Sequence, residues 1–203
     1  MNITGMIEII IVTLLAYLIG SLSSAIIICR LMGLPDPRQK GSKNPVATNV
    51  LRIGGKKAAI ITLLGDMLKG LIPVLFAQWL KLNPIGLAII AFAAFCGHLF
   101  PIFFRFKGGK GVATLLGCLL ALSWQSALTW MGTWFIIALI FRYVSLASLV
   151  ASLLAPFFIW YFTHENALIL ATSLMSLILL YRHRQNMVNL FHGKENKIGK
   201  KIK

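Results

Sequence analysis

The sequence predicts an all-α, polytopic membrane protein with seven transmembrane helices. Its N-terminus is expected outside, its C-terminus in the cytoplasm, and a short interfacial helix in the first cytoplasmic loop. Three observations predict this. Hydrophobic residues make up 58% of the 203 residues and charged ones 12%, about half the charged share of ordinary soluble chains. Several apolar runs approach or exceed the ~20 residues that a helix needs to cross a ~30 Å hydrocarbon core. Charge is lopsided, with 20 Lys and Arg against five Asp and Glu for a net +15, and the basic residues gather on alternate connections. The whole chain, 1–203, reads as one integral-membrane domain.

The expected spans run Ile9–Cys29, Ala58–Leu80, Ile85–Phe104, Val144–Phe162 and Ala167–Tyr181, with Val112–Phe141 between the third and fourth of these. As one helix that last stretch would be about 45 Å long at 1.5 Å per residue, too long for one crossing without strong tilt. Ser123-Trp124-Gln125 offers a polar break, which divides it in two. Orientation follows from the positive-inside rule. With seven spans, Arg30–Lys57, Arg105–Lys110, Arg142 and the tail Arg182–Lys203 share one side, and they hold 18 of the 20 basic residues. With six, Arg142 and the basic tail would have to cross.

Composition also limits the chemistry. A basic nucleic-acid-binding domain is rich in charge and poor in long apolar runs, so nucleic acid is not an expected partner. Glu8, Asp36, Asp66, Glu165 and Glu195 lie far apart in the sequence, so no carboxylate metal cage and no cofactor are expected. Cys29, Cys96 and Cys118 lack metal-ligand spacing and read as small core residues. Met1–Gly5 carries no positive charge, so no cleaved signal peptide is expected.

Three cytoplasmic segments carry more polar pattern than connections need. In the first, Leu34-Pro35-Asp36-Pro37-Arg38 should be extended, because each proline disfavours helix at the residue before it. Asn44 then reads as an N-cap, Pro45 as the first helical residue and Gly54 as the stop. Val46, Val50 and Ile53 would share the apolar face of this interfacial helix, and Thr48, Asn49 and Arg52 the polar one, with the Ser42 hydroxyl just before its positive end. A basic loop on anionic lipid heads is the simpler reading.

The second segment, Phe106-Lys107-Gly108-Gly109-Lys110-Gly111-Val112-Ala113-Thr114, opens directly into a helix. Glycines let backbone N–H groups approach an oxyanion, and the helix start adds partial positive charge, which suits a phosphate cradle. The spacing is not that of a Walker A loop, and a glycine-rich turn between membrane helices is also a common structural device. In the third segment, Arg182-His183-Arg184-Gln185-Asn186 through Glu195, His183 and Asn186 share a helix face. His183 suits a general base or a phosphate ligand. Glu195, the one acid of the tail, suits orienting a cation or accepting from a hydroxyl. Inside the membrane, Asp66 and Lys69 should pair, since each charge costs ~2.5–3.5 kcal/mol at the bilayer centre. With His98 they are candidate supports for a site.

Together the segments resemble the bacterial acyl-phosphate-dependent glycerol-3-phosphate acyltransferases, over nearly the whole chain. The first motif is similar to Leu34–Arg38 continuing through Gly41–Arg52, the second to Gly97-His98 through Thr114, and the third to His183, Asn186 and Glu195. The sequence departs at Val46, where the family usually has glycine, and at Lys43, where it commonly has a small or polar residue. The resemblance implies that a fatty acyl group passes from acyl phosphate to the 1-hydroxyl of glycerol 3-phosphate, giving lysophosphatidate and phosphate, at the bacterial inner membrane. It implies Ser42, Arg52, Lys110, His183 and Asn186 as catalytic. Asn44, Thr48, Asn49, Gly108, Gly109, Gly111, Thr114 and Glu195 are implied as substrate- or phosphate-binding. Expected partners are the two substrates, membrane lipids and the soluble enzyme that makes acyl phosphate. No His is followed five residues on by Asp, so the His-x4-Asp mechanism of soluble-type acyltransferases is not available. A transporter for a phosphorylated anion is the competing reading, but the outer half of the spans offers little polar lining for a path.

Overall fold

The computed structural model describes residues 3–199, and among these every regular element is helical. The chain divides into two compact units, Met1–Leu122 and Ser123–Lys203.

In the first unit, the span expected at Ile9–Cys29 is two helices, α1 (Ile3–Gly20) and α2 (Ser24–Leu31), separated by Ser21-Leu22-Ser23. The break has a distant partner. The Leu22 carbonyl, which a continuous helix would pair with the N–H four residues on, instead accepts from Lys69 Nζ at 2.8 Å. α1 packs closely through small residues on the helix that holds Ala94 and Gly97, and a Cβ at Gly20 or Gly97 would overlap the backbone of the other helix.

α3 (Ala47–Trp79) joins the expected interfacial helix to the next span across a kink at Gly55, whose φ of 79° suits only glycine without strain. The kink lies one residue past the expected stop, and Gly54 instead packs against the end of the Leu34 side chain. The helix start is also corrected. Val46, not Asn44, holds the N-cap position, and Asn44 donates to the Ser42 carbonyl at 3.0 Å.

α4 (Pro84–Leu99) starts where Asn83 accepts the Gly86 N–H at 2.8 Å and Pro84 fills the first position. It ends before Pro101, after which a 3-10 turn, Ile102–Phe104, leads to the glycine-rich loop. α5 (Val112–Leu122) has 11 residues, roughly 16 Å, about half of a hydrocarbon core. It crosses α3 where Gly70 meets Thr114 and Gly117 meets Met67, too closely for any added Cβ.

In the second unit, the expected break at Ser123 is present: its hydroxyl accepts the Ser126 N–H at 3.2 Å and starts α6 (Trp124–Phe141). α7 (Val144–Thr163) packs between α6 and α8 (Asn166–Arg182). Hydrogen bonds from Trp134 Nε1 to Ser148 Oγ at 3.1 Å and from Ser176 Oγ to the Ser152 carbonyl at 2.6 Å join them. At His183 the chain bends by 56° into α9 (Arg184–Phe191).

Five helical segments among the described residues are long and apolar enough to cross a membrane, or six when α8 and α9 count as one bent span. Their outer faces carry exposed Leu14, Ile72, Phe135, Leu153 and Leu177, an arrangement suited to lipid and costly in water.

Candidate active site

The loop before α3 is held by one side chain. Asn49 is fully buried; its Oδ1 accepts the Ser42 N–H at 2.8 Å. Its Nδ2 faces three carbonyls, those of Pro37 at 2.8 Å and of Lys40 and Asn44 at 3.0 Å each. The loop wraps over this residue, which is why a position expected on the polar face is inside. Gly41, at φ 63°, also leaves room for Asn49 where a Cβ would collide with its Oδ1. Asn49 therefore shapes the loop and presents no donor outward, while Ser42, Thr48 and Arg52 are exposed and Asn44 is half-buried. Upstream, Asp36 and Arg38 form their own clasp. Arg38 Nη2 lies 2.7 Å from Asp36 Oδ2, and the Arg38 N–H donates to Oδ1 at 2.8 Å. Hydrogen bonding from that guanidinium holds the Asp36 carboxyl below its ordinary range, against the opposing effect of burial.

The glycine-rich loop meets this first segment. A Cβ placed on Gly109 would lie 3.0 Å from the Pro45 carbonyl oxygen, and it would overlap His98 Nε2. Gly108 is similarly pressed on the carbonyls of His98 and Leu99, and Gly111, at φ 89°, on the Phe95 ring. The absent side chains thus make room for neighbouring protein. The Gly109 N–H donates to the His98 carbonyl at 3.2 Å. Lys110 is half-buried. Thr114 turns inward: it is fully buried, and its hydroxyl donates to the Asp66 carbonyl at 2.9 Å. It ties α5 to α3.

Beneath the loop, Asp66 and Lys69 pair as expected, with Oδ1 and Nζ 2.9 Å apart, and His98 Nδ1 lies 3.6 Å from the same oxygen.

In the second unit, His183 is buried at the α8–α9 bend, with Nδ1 2.9 Å from the Leu179 carbonyl. A carbonyl only accepts, so Nδ1 carries the proton and Nε2 of the neutral ring is the acceptor. Glu195 Oε1 accepts from Asn186 Nδ2 at 2.8 Å and from Ser145 Oγ at 2.7 Å. This orients the Asn186 amide and brings in Ser145, which sequence reasoning missed. Its signal was present, because Ser145, Ser148 and Ser152 recur at helical spacing just after the Arg142 turn. The tail is fastened by Arg142, whose carbonyl accepts the Ile198 N–H at 2.7 Å and whose Nη2 donates to the Ile198 carbonyl at 3.0 Å.

Residues 10–193 match the family described as glycerol-3-phosphate acyltransferase. The chain belongs to that family. Among its relatives, the glycerol-3-phosphate acyltransferase of Methylococcus capsulatus is 55% identical over 186 residues, 92% of this chain and 94% of that one. That of Haemophilus influenzae is 50% identical over 190 residues, 94% of each chain. Crystal structures of PlsY (YgiH), an integral membrane glycerol 3-phosphate acyltransferase, are similar throughout. The glycerol 3-phosphate form has a TM-score of 0.90 and 38% identity over 95% of this chain and 96% of that one. The lysophosphatidic acid form has a TM-score of 0.88 and 37% identity, with the same coverage.

Proposed function

We propose that this chain catalyses the first acylation of phospholipid synthesis. It transfers a fatty acyl group from acyl phosphate to the 1-hydroxyl of sn-glycerol 3-phosphate, releasing 1-acylglycerol 3-phosphate and inorganic phosphate. The observation that carries the reading is the meeting of the two unit-one segments at Pro45 and Gly109, in a chain of this family. The first segment, which carries Ser42, Asn44 and Arg52, thereby meets a lysine-bearing glycine loop at Pro45, which suits substrates that carry phosphoryl groups.

Acyl phosphate is an activated mixed anhydride, so positioning and charge stabilisation supply much of the catalysis. Gly108–Gly111 and Lys110 hold one phosphoryl group. Ser42, Asn44, Thr48 and Arg52 are the first unit's candidates for the other substrate; His183, and Asn186 as oriented by Glu195, are the second unit's candidate catalytic groups. The glycerol hydroxyl oxygen bonds to the acyl carbon, the acyl–phosphate oxygen bond breaks, and the hydroxyl proton passes to the departing phosphate. His183 Nε2 is the alternative acceptor for that proton. No acyl-enzyme is required. Asn49 and Thr114 act by holding backbone, and the entire chain, 1–203, is the acyltransferase domain.

The seven-crossing topology with the site on the cytoplasmic face of the bacterial inner membrane belongs to the same proposal. Its support is the placement of 18 of the 20 basic residues on one side. Short α5 counts as one of the seven crossings. That face also receives acyl phosphate from the soluble enzyme that makes it. In cysteine-free protein, Lys81→Cys should be labelled from outside and Lys43→Cys only after permeabilisation; the reverse pattern contradicts the orientation.

Proteoliposomes test the activity. Phosphate release should require acyl phosphate and glycerol 3-phosphate together. Protein-dependent uptake of glycerol 3-phosphate without any acyl transfer would favour the transporter instead.

A further inference from the structure

We propose that Asp66, Lys69 and His98 form a positioning cluster that sets the glycine-rich loop from within the membrane, with His98 the member that bears on the loop. The three side chains come from two helices and are 3%, 5% and 5% exposed. Each side of the cluster ends on a different part of the first unit. Lys69 Nζ, 2.9 Å from Asp66 Oδ1, also donates to the Leu22 carbonyl at 2.8 Å and so fixes the break between α1 and α2. The Asp66 carbonyl accepts the Thr114 hydroxyl at 2.9 Å and fixes the first turn of α5, directly after the loop.

His98 is the link between cluster and loop. Its Nδ1 faces Asp66 Oδ1 at 3.6 Å, and its Nε2 faces the place where a Gly109 side chain would be. Its own carbonyl receives the Gly109 N–H at 3.2 Å. The imidazole is therefore wedged between a carboxylate on one side and the loop backbone on the other. The carboxylate on one side and the loop backbone on the other leave the ring little room to turn.

Physical cost argues for function. A run of glycines has more conformational freedom to lose than any other sequence, so it holds one shape only if its surroundings impose it. Well-packed apolar residues could fill the same volume without burying charge, often with a gain in stability. A buried ion pair in lipid is retained instead, at the one point where it steadies the ring behind Gly109. The cluster works through the loop and does not touch substrate, so these are positioning residues.

The activity arm of the test rests on the acyltransferase reading; the exchange arm does not. Full-length protein in detergent is compared as wild type, His98→Ala, His98→Gln and Gly109→Ala, and as the double variant His98→Ala with Gly109→Ala. Hydrogen–deuterium exchange should rise at residues 107–111 in His98→Ala and less in His98→Gln, with the peptides of α7 and α8 unchanged. Per folded molecule, kcat/KM should fall about 10- to 100-fold in His98→Ala, as expected when a reacting group is displaced by about 1 Å. Gly109→Ala alone should be impaired because its Cβ meets the imidazole, and it should add less loss when His98 is alanine, with only the Pro45 carbonyl contact remaining. Wild-type exchange at 107–111 together with wild-type kcat/KM in folded His98→Ala would overturn the proposal, as would strictly additive losses in the double variant. The predicted exchange changes in a wild type inactive with both substrates would uphold the positioning role and sink only the acyltransferase reading.

Discussion

The Asn49 carboxamide holds the Ser42 backbone: Oδ1 takes the Ser42 N–H at 2.8 Å while Nδ2 faces the carbonyls of Pro37, Lys40 and Asn44. Removing it would leave several inward-facing polar groups without partners, at about 1–3 kcal/mol for each that water cannot reach. Asn49→Ala should therefore destabilise the protein by about 2–4 kcal/mol, near the upper end for single substitutions. Asn49→Asp should be no better, because its carboxylate would face three carbonyl oxygens. Thermal unfolding in detergent checks both; a wild-type midpoint for Asn49→Asp would refute the staple.

Charge in the glycine-rich loop is carried by Lys110. Lys110→Ala should lower kcat/KM roughly 10- to 150-fold, the equivalent of the 1.5–3 kcal/mol of one charge-assisted hydrogen bond. Lys110→Arg should be milder. Steady-state kinetics on protein matched for folded fraction is the measurement, and an unaltered Lys110→Ala would take the lysine out of the site.

Glu195 orients Asn186 and Ser145 through a single oxygen. Glu195→Ala should reduce kcat/KM about tenfold by freeing the Asn186 amide. Glu195→Gln retains an acceptor without the charge and should recover part of the loss. If alanine and glutamine were equally harmful, charge and not orientation would be what Glu195 contributes.

How far the sequence could be read follows from where each cause lies. The break at Ser123 rests on neighbours in the chain, and it stands at the expected position. The Leu22 carbonyl at the break after Gly20 is capped by Lys69, 47 positions away, a partner that no local pattern reveals. Asn49 was expected on a wet face because helical periodicity says nothing of a preceding loop folding over it. Thr114 faces inward for a similar reason, since α3 lies against the start of α5. Ser145 had a local signal, but its partner Glu195 arrives from the far end of the chain.

The Asp36–Arg38 clasp gives the fold an acid limb. Because the folded carboxyl ionises below its unfolded range, the pair contributes fully above the ordinary aspartate pKa of about 3.9, and the contribution fades as pH falls through the lowered value. Melting temperature should accordingly drop on acidification more in wild type than in Asp36→Asn, with the two curves converging below about pH 4. Curves that stay parallel down to that range would show that the clasp does not couple to folding.

Donor identity is the claim on which the mechanism stands. The most direct measurement is the yield of lysophosphatidate and phosphate from purified protein given glycerol 3-phosphate and, in matched reactions, acyl phosphate, acyl-CoA or acyl-carrier protein. The account predicts product only with acyl phosphate, at one phosphate released per lysophosphatidate formed. Robust turnover with acyl-CoA alone would contradict it.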